Sequence, residues 1–169
     1  MKKLKYMSLM QALVCVITLG FTSCDNNDED KDMTYPKISS EGITANPIDC
    51  QVYQRGSVIP FHYIFTDDME LGAYNIEIHS NFDHHTHGTT STDCEDGDEH
   101  EGEQEHEHEH EGGWHYNQDF AIPAGLRTYE ARHDIVIPSD IEPGNYHFMV
   151  RLTDHAGWQQ LHAVAIKIQ

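Results

Sequence analysis

The sequence predicts an all-β chain folded as an antiparallel sandwich of about seven strands, and three observations support this. Apolar and polar residues alternate with a period of two along most of the chain. Turn residues such as Pro143-Gly144-Asn145 and Asp154-His155-Ala156-Gly157 separate these segments. No long stretch has helical periodicity. The folded part is close to the roughly 100 residues typical of an immunoglobulin-like sandwich, which is the architecture we expect.

Seven segments carry the strand pattern. Two of them end at a proline, Pro123 or Pro138, which cannot continue a central ladder. The expected strands are Tyr35 to Ser40, Val58 to Thr66, Tyr74 to His79, Tyr116 to Ile122, Thr128 to Ile137, Tyr146 to Thr153 and Trp158 to Ile168.

Alternation also predicts which face each side chain occupies. One face of the second strand carries Ile59, Phe61, Tyr63 and Phe65, and we expect that face in the core. The third strand and the strand beginning at Tyr146 place a second set of residues on the opposite face, towards solvent or a site. This set comprises Asn75, Glu77 and His79 from one strand and His147, Met149 and Arg151 from the other.

The amino terminus predicts a lipoprotein signal peptide over residues 1–23. Lys2, Lys3 and Lys5 precede an apolar run, Leu9 to Phe21, that is shorter than the roughly 20 residues needed to span a bilayer. Thr22-Ser23-Cys24 resembles a lipobox, which implies that Cys24 is the first mature residue and is lipidated. The alternative is an uncleaved helix or a free signal peptide.

Residues 24–34 are acidic and polar, and are expected to form a solvated tether before a domain over residues 35–169. Acidic runs directly after a lipidated cysteine resemble the surface-export signals of Bacteroidota lipoproteins. The expected location is therefore the outer membrane, with the domain on the outer surface.

The formal charge of −19 limits the possible partners. Much of it lies between Asp93 and Glu111. Nucleic acid and anionic lipid headgroups are disfavoured as partners because they repel a polyanion. A cation is the partner that this charge favours.

Three segments together resemble a known family of Bacteroidota lipoproteins. They are Ile78-His79-Ser80-Asn81-Phe82-Asp83-His84-His85-Thr86-His87, Pro143-Gly144-Asn145-Tyr146-His147-Phe148 and Thr153-Asp154-His155-Ala156-Gly157. In this order after a lipobox, they resemble the domain of unknown function 4625 (DUF4625). The resemblance implies an immunoglobulin-like sandwich in the cell envelope and implies no activity.

A histidine cluster at a strand end predicts a metal site. His85 and His87 are two residues apart, so in an extended segment their imidazoles project to the same side, and His79 ends the preceding strand. His147 would join them if its strand lies beside that strand, and Asp83 could add a carboxylate. Such ligands suit zinc, and also nickel or copper.

The alternative is that these histidines are solvated surface side chains. His84 is left out of the site because it projects opposite to His85. The sequence predicts structural roles for His62, His133, His155 and His162.

Residues 88–113 form a low-complexity insertion rich in histidine and glutamate, and we expect a mobile loop because it has almost nothing apolar to bury. The candidate metal-collecting residues are His100, His106, His108 and His110. Alternate histidines in an extended chain lie about 6.6 Å apart on one edge, which makes a multidentate chelator. The alternative is an acidic solubilising linker.

With Cys15 in the signal peptide and Cys24 lipidated, two cysteines remain for pairing, Cys50 and Cys94. An even pair in a secreted domain predicts a disulfide. The alternative is that Cys94 is a thiolate ligand beside the histidines.

These observations favour an envelope lipoprotein that collects or carries metal ions and passes them to an outer-membrane transporter or another envelope protein. The alternative is a surface adhesion or glycan-accessory module, for which Trp114 and Trp158 are the candidate aromatic platforms. An enzyme is disfavoured because no nucleophile elbow, phosphate loop or His-Glu-x-x-His helix occurs. A three-histidine site with an open position would still permit catalysis.

Overall fold

The computed structural model describes residues 31–81, Cys94 and 113–169, and all of these except Lys31 lie in the compact unit of residues 32–169. These ranges are all β, with eight strands in two sheets, so the prediction of an all-β sandwich is confirmed. The described ranges contain no helix long and apolar enough to cross a membrane. The strands are β1 (Lys37–Ser39), β2 (Gln51–Tyr53), β3 (Val58–Thr66), β4 (Leu71–Ser80), β5 (Tyr116–Ala121), β6 (Thr128–Val136), β7 (Gly144–Asp154) and β8 (Gln159–Ile168).

One sheet has three strands in the order β1-β3-β6, and the other has five in the order β2-β8-β7-β4-β5. Every pair is antiparallel except β2 and β8, which run parallel. The sequence did not predict β2, because three residues are too few to show an alternating pattern. The strands that correspond to the seven predicted ones all pair antiparallel, and the additional strand β2 adds a parallel pair at one edge. The immunoglobulin-like topology stays a prediction.

The core lies between the two sheets, where the alternating apolar residues of β3 and β4 are buried. The inward side chains are at most 3 % exposed, namely Ile59, Phe61, Tyr63 and Phe65 of β3 and Tyr74, Ile76 and Ile78 of β4. Full burial of a large apolar side chain stabilises the fold by about 1.5–3 kcal/mol. The predicted division into inner and outer faces is thus confirmed for these strands, and it fixes which residues of β4 reach the outer face.

Strands β4 and β7 form the centre of the larger sheet, and their register defines two ends. His79 pairs with His147 near one end, and Leu71 pairs with Asp154 at the other. Eight residues along a strand separate these two positions on β4, a length of roughly 27 Å at about 3.4 Å per residue. Side chains at the two ends therefore belong to separate sites.

A disulfide joins Cys50 and Cys94, whose Cα atoms are 5.2 Å apart. This confirms the predicted pairing. It also contradicts the alternative in which Cys94 is a thiolate metal ligand, because a disulfide sulfur carries no thiolate charge.

Candidate metal centre

The structure brings two of the sequence-predicted ligands together, His79 on β4 and His147 on β7. They are direct cross-strand neighbours, and their ring centroids are 5.5 Å apart with the ring planes at 85°. Both residues alternate with core residues, so both side chains leave the sheet on the face opposite the core. Adjacent imidazoles on one face can share a metal ion.

A third histidine, His115, continues this row, and the sequence analysis missed it. Ile78 pairs with Tyr116 in the β4–β5 ladder, so the antiparallel register places His115 opposite His79. Trp114, next to it, packs partly buried against the core and lies near Tyr146 with ring centroids 6.4 Å apart. His115 directly precedes a predicted strand, so knowledge that β5 pairs with β4 would have identified it.

The carboxylate of Glu77 lies between two of these histidines. Its Oε1 is 3.3 Å from His79 Nδ1 and 4.0 Å from His115 Nε2. Glu77 precedes His79 by two residues, so both side chains project from the same face of β4. A carboxylate beside a metal-binding histidine orients its ring and selects its tautomer. The sequence placed Glu77 on this face but gave it no role.

Burial differs along the outer face of β7. The sequence predicted His147, Met149 and Arg151 to point outward together, and the first two are 3 % and 6 % exposed whereas Arg151 is exposed. The outer face of β7 is therefore shielded from solvent at His147 and Met149. Alternation predicts the direction of a side chain but not what covers it.

The disulfide is anchored beside the same row. The amide of Cys50 donates a hydrogen bond to the carbonyl of Ala165 at 2.8 Å, and Ala165 is the β8 neighbour of His147. Cys94 is thereby held at the β8 side of the row, while β4 ends at Ser80 on the other side of β7. Both ends of the stretch between Asn81 and Cys94 are thus fixed at the histidine end of the sheet.

The other sequence-predicted site residues lie outside the described residues. They are the ordered-site candidates Asp83, His85 and His87, the loop candidates His100, His106, His108 and His110, and the lipidation site Cys24. Their roles stay predictions.

Three histidines predicted to be structural have local partners. His62 Nε2 is 2.8 Å from Glu130 Oε1, His162 Nε2 is 3.2 Å from the Tyr63 hydroxyl, and His133 stacks on Phe120 with ring centroids 4.2 Å apart. Burial lowers the pKa of both His133 and His162 below the ordinary histidine value. His155 is exposed.

These two depressed pKa values predict a loss of stability in acid. Above about pH 6.5 both rings are neutral in the folded and unfolded chains, so their contribution is fully present. As the pH falls below that value, the unfolded chain takes up protons first, and stability decreases through the folded pKa. We expect His133→Gln and His162→Gln to reduce the loss of unfolding free energy between about pH 7.5 and 5.5, measured in urea. His155→Gln is the control, and equal losses in all three variants would contradict the assignment.

The two tryptophans proposed as glycan platforms are only partly exposed. Trp114 packs against the core, and Trp158 contacts Tyr35 edge-on with ring centroids 4.9 Å apart. Both rings are therefore partly covered by packing within the described residues.

Comparison with known proteins identifies the family. The sequence matches the family described as Domain of unknown function (DUF4625) over residues 22–169. The chain belongs to the DUF4625 family. The family resemblance seen in the histidine block and the Tyr146-His147-Phe148 strand is therefore confirmed, and the histidine row belongs to a DUF4625 domain. A search of curated proteins found no match.

One solved structure similar to this DUF4625 chain is Spo0M, a sporulation control protein from Bacillus subtilis. The identity is 12 % and the TM-score is 0.40, with 81 % of this chain and 50 % of the other chain covered. The DUF4625 chain thus spans half the length of that protein.

Proposed function

We propose that this protein is a cell-envelope lipoprotein that binds transition-metal ions, zinc foremost and nickel or copper by the same ligands. It would act as a metal-collecting or carrier module for an outer-membrane transporter or another envelope protein. The single observation that carries the proposal is the row formed by His79 on β4, His147 on β7 and His115 directly before β5. Imidazole nitrogens and a carboxylate oxygen are the donor types of zinc sites. Among the described residues the ligand atoms of this row do not all lie within 4.8 Å of one another, so the side chains would turn towards the ion on binding.

The strands themselves would preorganise this site. β4 and β7 are central in the five-stranded sheet, so the separation of His79 and His147 is set by a ladder rather than by a loop. A site built on paired strands loses little conformational entropy on binding, which favours affinity. Glu77 would hold the ring of His79 in one orientation.

The length of the chain after β4 would allow the predicted ligands that lie outside the described residues to join this row. His85 follows the end of β4 by five residues, a span of at most about 18 Å at about 3.6 Å per residue. The fixed position of Cys94 beside Ala165 bounds the same stretch from its other end. Asp83, His85 and His87 would therefore complete the coordination of an ion held by His79 and His147, with the loop histidines as weaker collectors.

The proposal includes anchoring through Cys24, supported by the lipobox-like sequence before it. Cys24→Ala is expected to release the protein from membranes or leave the signal peptide attached. Detergent partitioning and the mass of the product measure this. A mature-length variant that still partitions with lipid would exclude lipidation at Cys24.

The alternative, a surface adhesion or glycan-accessory module with no metal role, has less support. Its aromatic platforms, Trp114 and Trp158, are both engaged in packing within the described part of the chain. Glycan-array binding that persists after metal removal would favour this alternative.

A zinc titration of the full chain and of a chain lacking residues 98–111 separates binding by the ordered histidine row from binding by the histidines of the low-complexity insertion. This deletion retains Cys94, so the disulfide stays intact. We expect the shortened chain to lose weak binding equivalents and keep one tight one, because the ordered row avoids the entropy of ordering a loop. Isothermal calorimetry gives the number of zinc ions bound and the affinity of each class of site.

The matched control replaces the same segment with a glycine-serine linker of equal length. Loss of the tight equivalent in both variants would overturn the ordered centre and leave the loop as the binding element.

A further inference from the structure

A second cluster of potential ligands lies at the opposite end of the β4–β7 pair, and it is made of carboxylates alone. Asp67 and Asp68 follow β3, Asp154 ends β7, and Asp32 lies just before β1. Carboxylate oxygens of Asp32, Asp67 and Asp68 lie within 4.8 Å of one another. Three segments that are distant in the chain thus place acidic groups at one end of the sandwich.

Hydrogen bonds to the backbone fix the carboxylates of Asp67 and Asp154, and another fixes the backbone at Asp32. Asp67 Oδ1 accepts from the amides of Met69 and Glu70 at 2.8 and 2.7 Å, and Asp154 Oδ1 accepts from the amide of Trp158 at 2.8 Å. The Trp158 indole donates to the carbonyl of Asp32 at 3.1 Å. Each of the two turns is therefore fixed by one oxygen of its aspartate, which leaves the second oxygen for another partner.

The remaining carboxylate oxygens of Asp154 and Asp67 indicate that a ligand binds here. Asp154 is 4 % exposed, and its Oδ2 is buried without a hydrogen-bond partner among the described residues, as is Oδ2 of Asp67. Burial is the main cause that raises the pKa of Asp154 above its ordinary value, and the negative charges of Asp32 and Asp67 act in the same direction. The charges of Asp32 and Asp67 thus disfavour the ionised form of the buried Asp154 carboxylate.

No protein cation neutralises this charge within the described ranges. No Lys, Arg or His nitrogen there comes within 4.0 Å of these four carboxylates. Lys37 lines the same depression without forming an ion pair, and Arg127 donates to the carbonyl of Met69 instead. Buried carboxylates without a counter-charge are costly, so a bound cation would stabilise this end of the fold.

We propose that Asp32, Asp67 and Asp68 bind a calcium ion whose charge also offsets the nearby buried carboxylate of Asp154, and that this ion fixes the segment preceding β1 to the end of the sandwich. Calcium takes six to eight oxygen ligands at about 2.3–2.6 Å, and carboxylates with water supply them. The cluster contains no histidine or cysteine, so it does not favour zinc or copper. The hydroxyl of Thr34, which contacts Asp68, offers one more oxygen.

The site is distinct from the histidine row. It lies roughly 27 Å away along β4, and its donors are of a different chemical class. Calcium binding would also couple three chain segments, because Tyr35 packs on Trp158 directly after residues 32–34. The expected consequence is a calcium-dependent increase in the unfolding temperature.

The test is thermal unfolding of the full chain with calcium alone, after removal of transition metals with a zinc-selective chelator. At a calcium concentration about 100 times Kd, linkage is expected to raise Tm by roughly 5–10 °C. Asp67→Asn and Asp68→Asn should abolish most of the shift. Their Tm without calcium should be unchanged or higher, because each removes one of the repelling charges, and the amide oxygen that Asp67→Asn introduces can still accept the two backbone hydrogen bonds.

Asp140→Asn, at an exposed position away from the cluster, removes the same charge and should retain the full shift. The variant with His79→Ala and His147→Ala should retain it as well, which separates this proposal from the zinc proposal. The proposal is overturned if calcium leaves Tm of the full chain unchanged, or if Asp68→Asn and Asp140→Asn respond equally. Lower stability of Lys37→Gln together with no calcium response would also overturn it, by showing that Lys37 supplies the counter-charge.

Discussion

Joint replacement of His79 and His147 by alanine is expected to weaken tight zinc binding by at least about 100-fold, since loss of an outer-shell partner alone costs about 10–100-fold. The two rings are cross-strand neighbours 5.5 Å apart, so one ion would lose two ligands together. The measurement is a calorimetric titration in the chain lacking residues 98–111, which removes the loop's contribution.

Two further variants make this result interpretable. His155→Ala removes an exposed histidine at the other end of β7 and should leave zinc affinity unchanged. His79→Ala with His115→Ala leaves the buried His147 in place, so it tests the row without creating a cavity there. Full affinity in this second pair would exclude the row as the site, whatever the first pair does.

Replacing Cys50 and Cys94 by serine is expected to lower the free energy of unfolding by about 4 kcal/mol, because the disulfide closes a loop of about 44 residues. This corresponds to a Tm lower by roughly 10–20 °C for a domain of this size. Thermal unfolding with and without reductant measures it. The intact chain should be destabilised by reductant, and the double variant should not respond.

The same double variant probes the link between the disulfide and the histidine row. The backbone amide of Cys50 donates a hydrogen bond to the carbonyl of Ala165, which is the β8 neighbour of His147. Zinc affinity should fall in the variant, because the stretch carrying His85 and His87 would be anchored at one end only. An unchanged Tm would contradict the stabilising role, and an unchanged zinc affinity would limit the site to the row itself.

Much of the fold could be predicted because its signal is local. β3 has the predicted bounds, Val58–Thr66, since alternation is uninterrupted there and an acidic turn follows. β2 was missed because it is three residues long and is held by its parallel partner rather than by its own pattern. Strand pairing depends on contacts between distant segments, and a single sequence carries little information about it.

The candidate sites, like the strand pairing, depend on contacts between distant segments that a single sequence does not reveal. The sequence identified His79 and His147 from their outward positions, but it missed His115 because only the β4–β5 register aligns that residue with them. The carboxylate cluster was missed entirely. Asp32 was assigned to a solvated tether and Asp154 to a turn, and only the folded chain brings them to Asp67.

Zinc X-ray absorption on the chain lacking residues 98–111 measures whether histidines of the ordered row hold a transition-metal ion. We expect a first shell of nitrogen and oxygen at about 2.0–2.1 Å, with outer-shell scattering from at least two imidazole rings. That imidazole scattering should decrease in the variant with His79→Ala and His147→Ala. A first shell of oxygen alone, or imidazole scattering unchanged by the two replacements, would show that the row does not hold the ion.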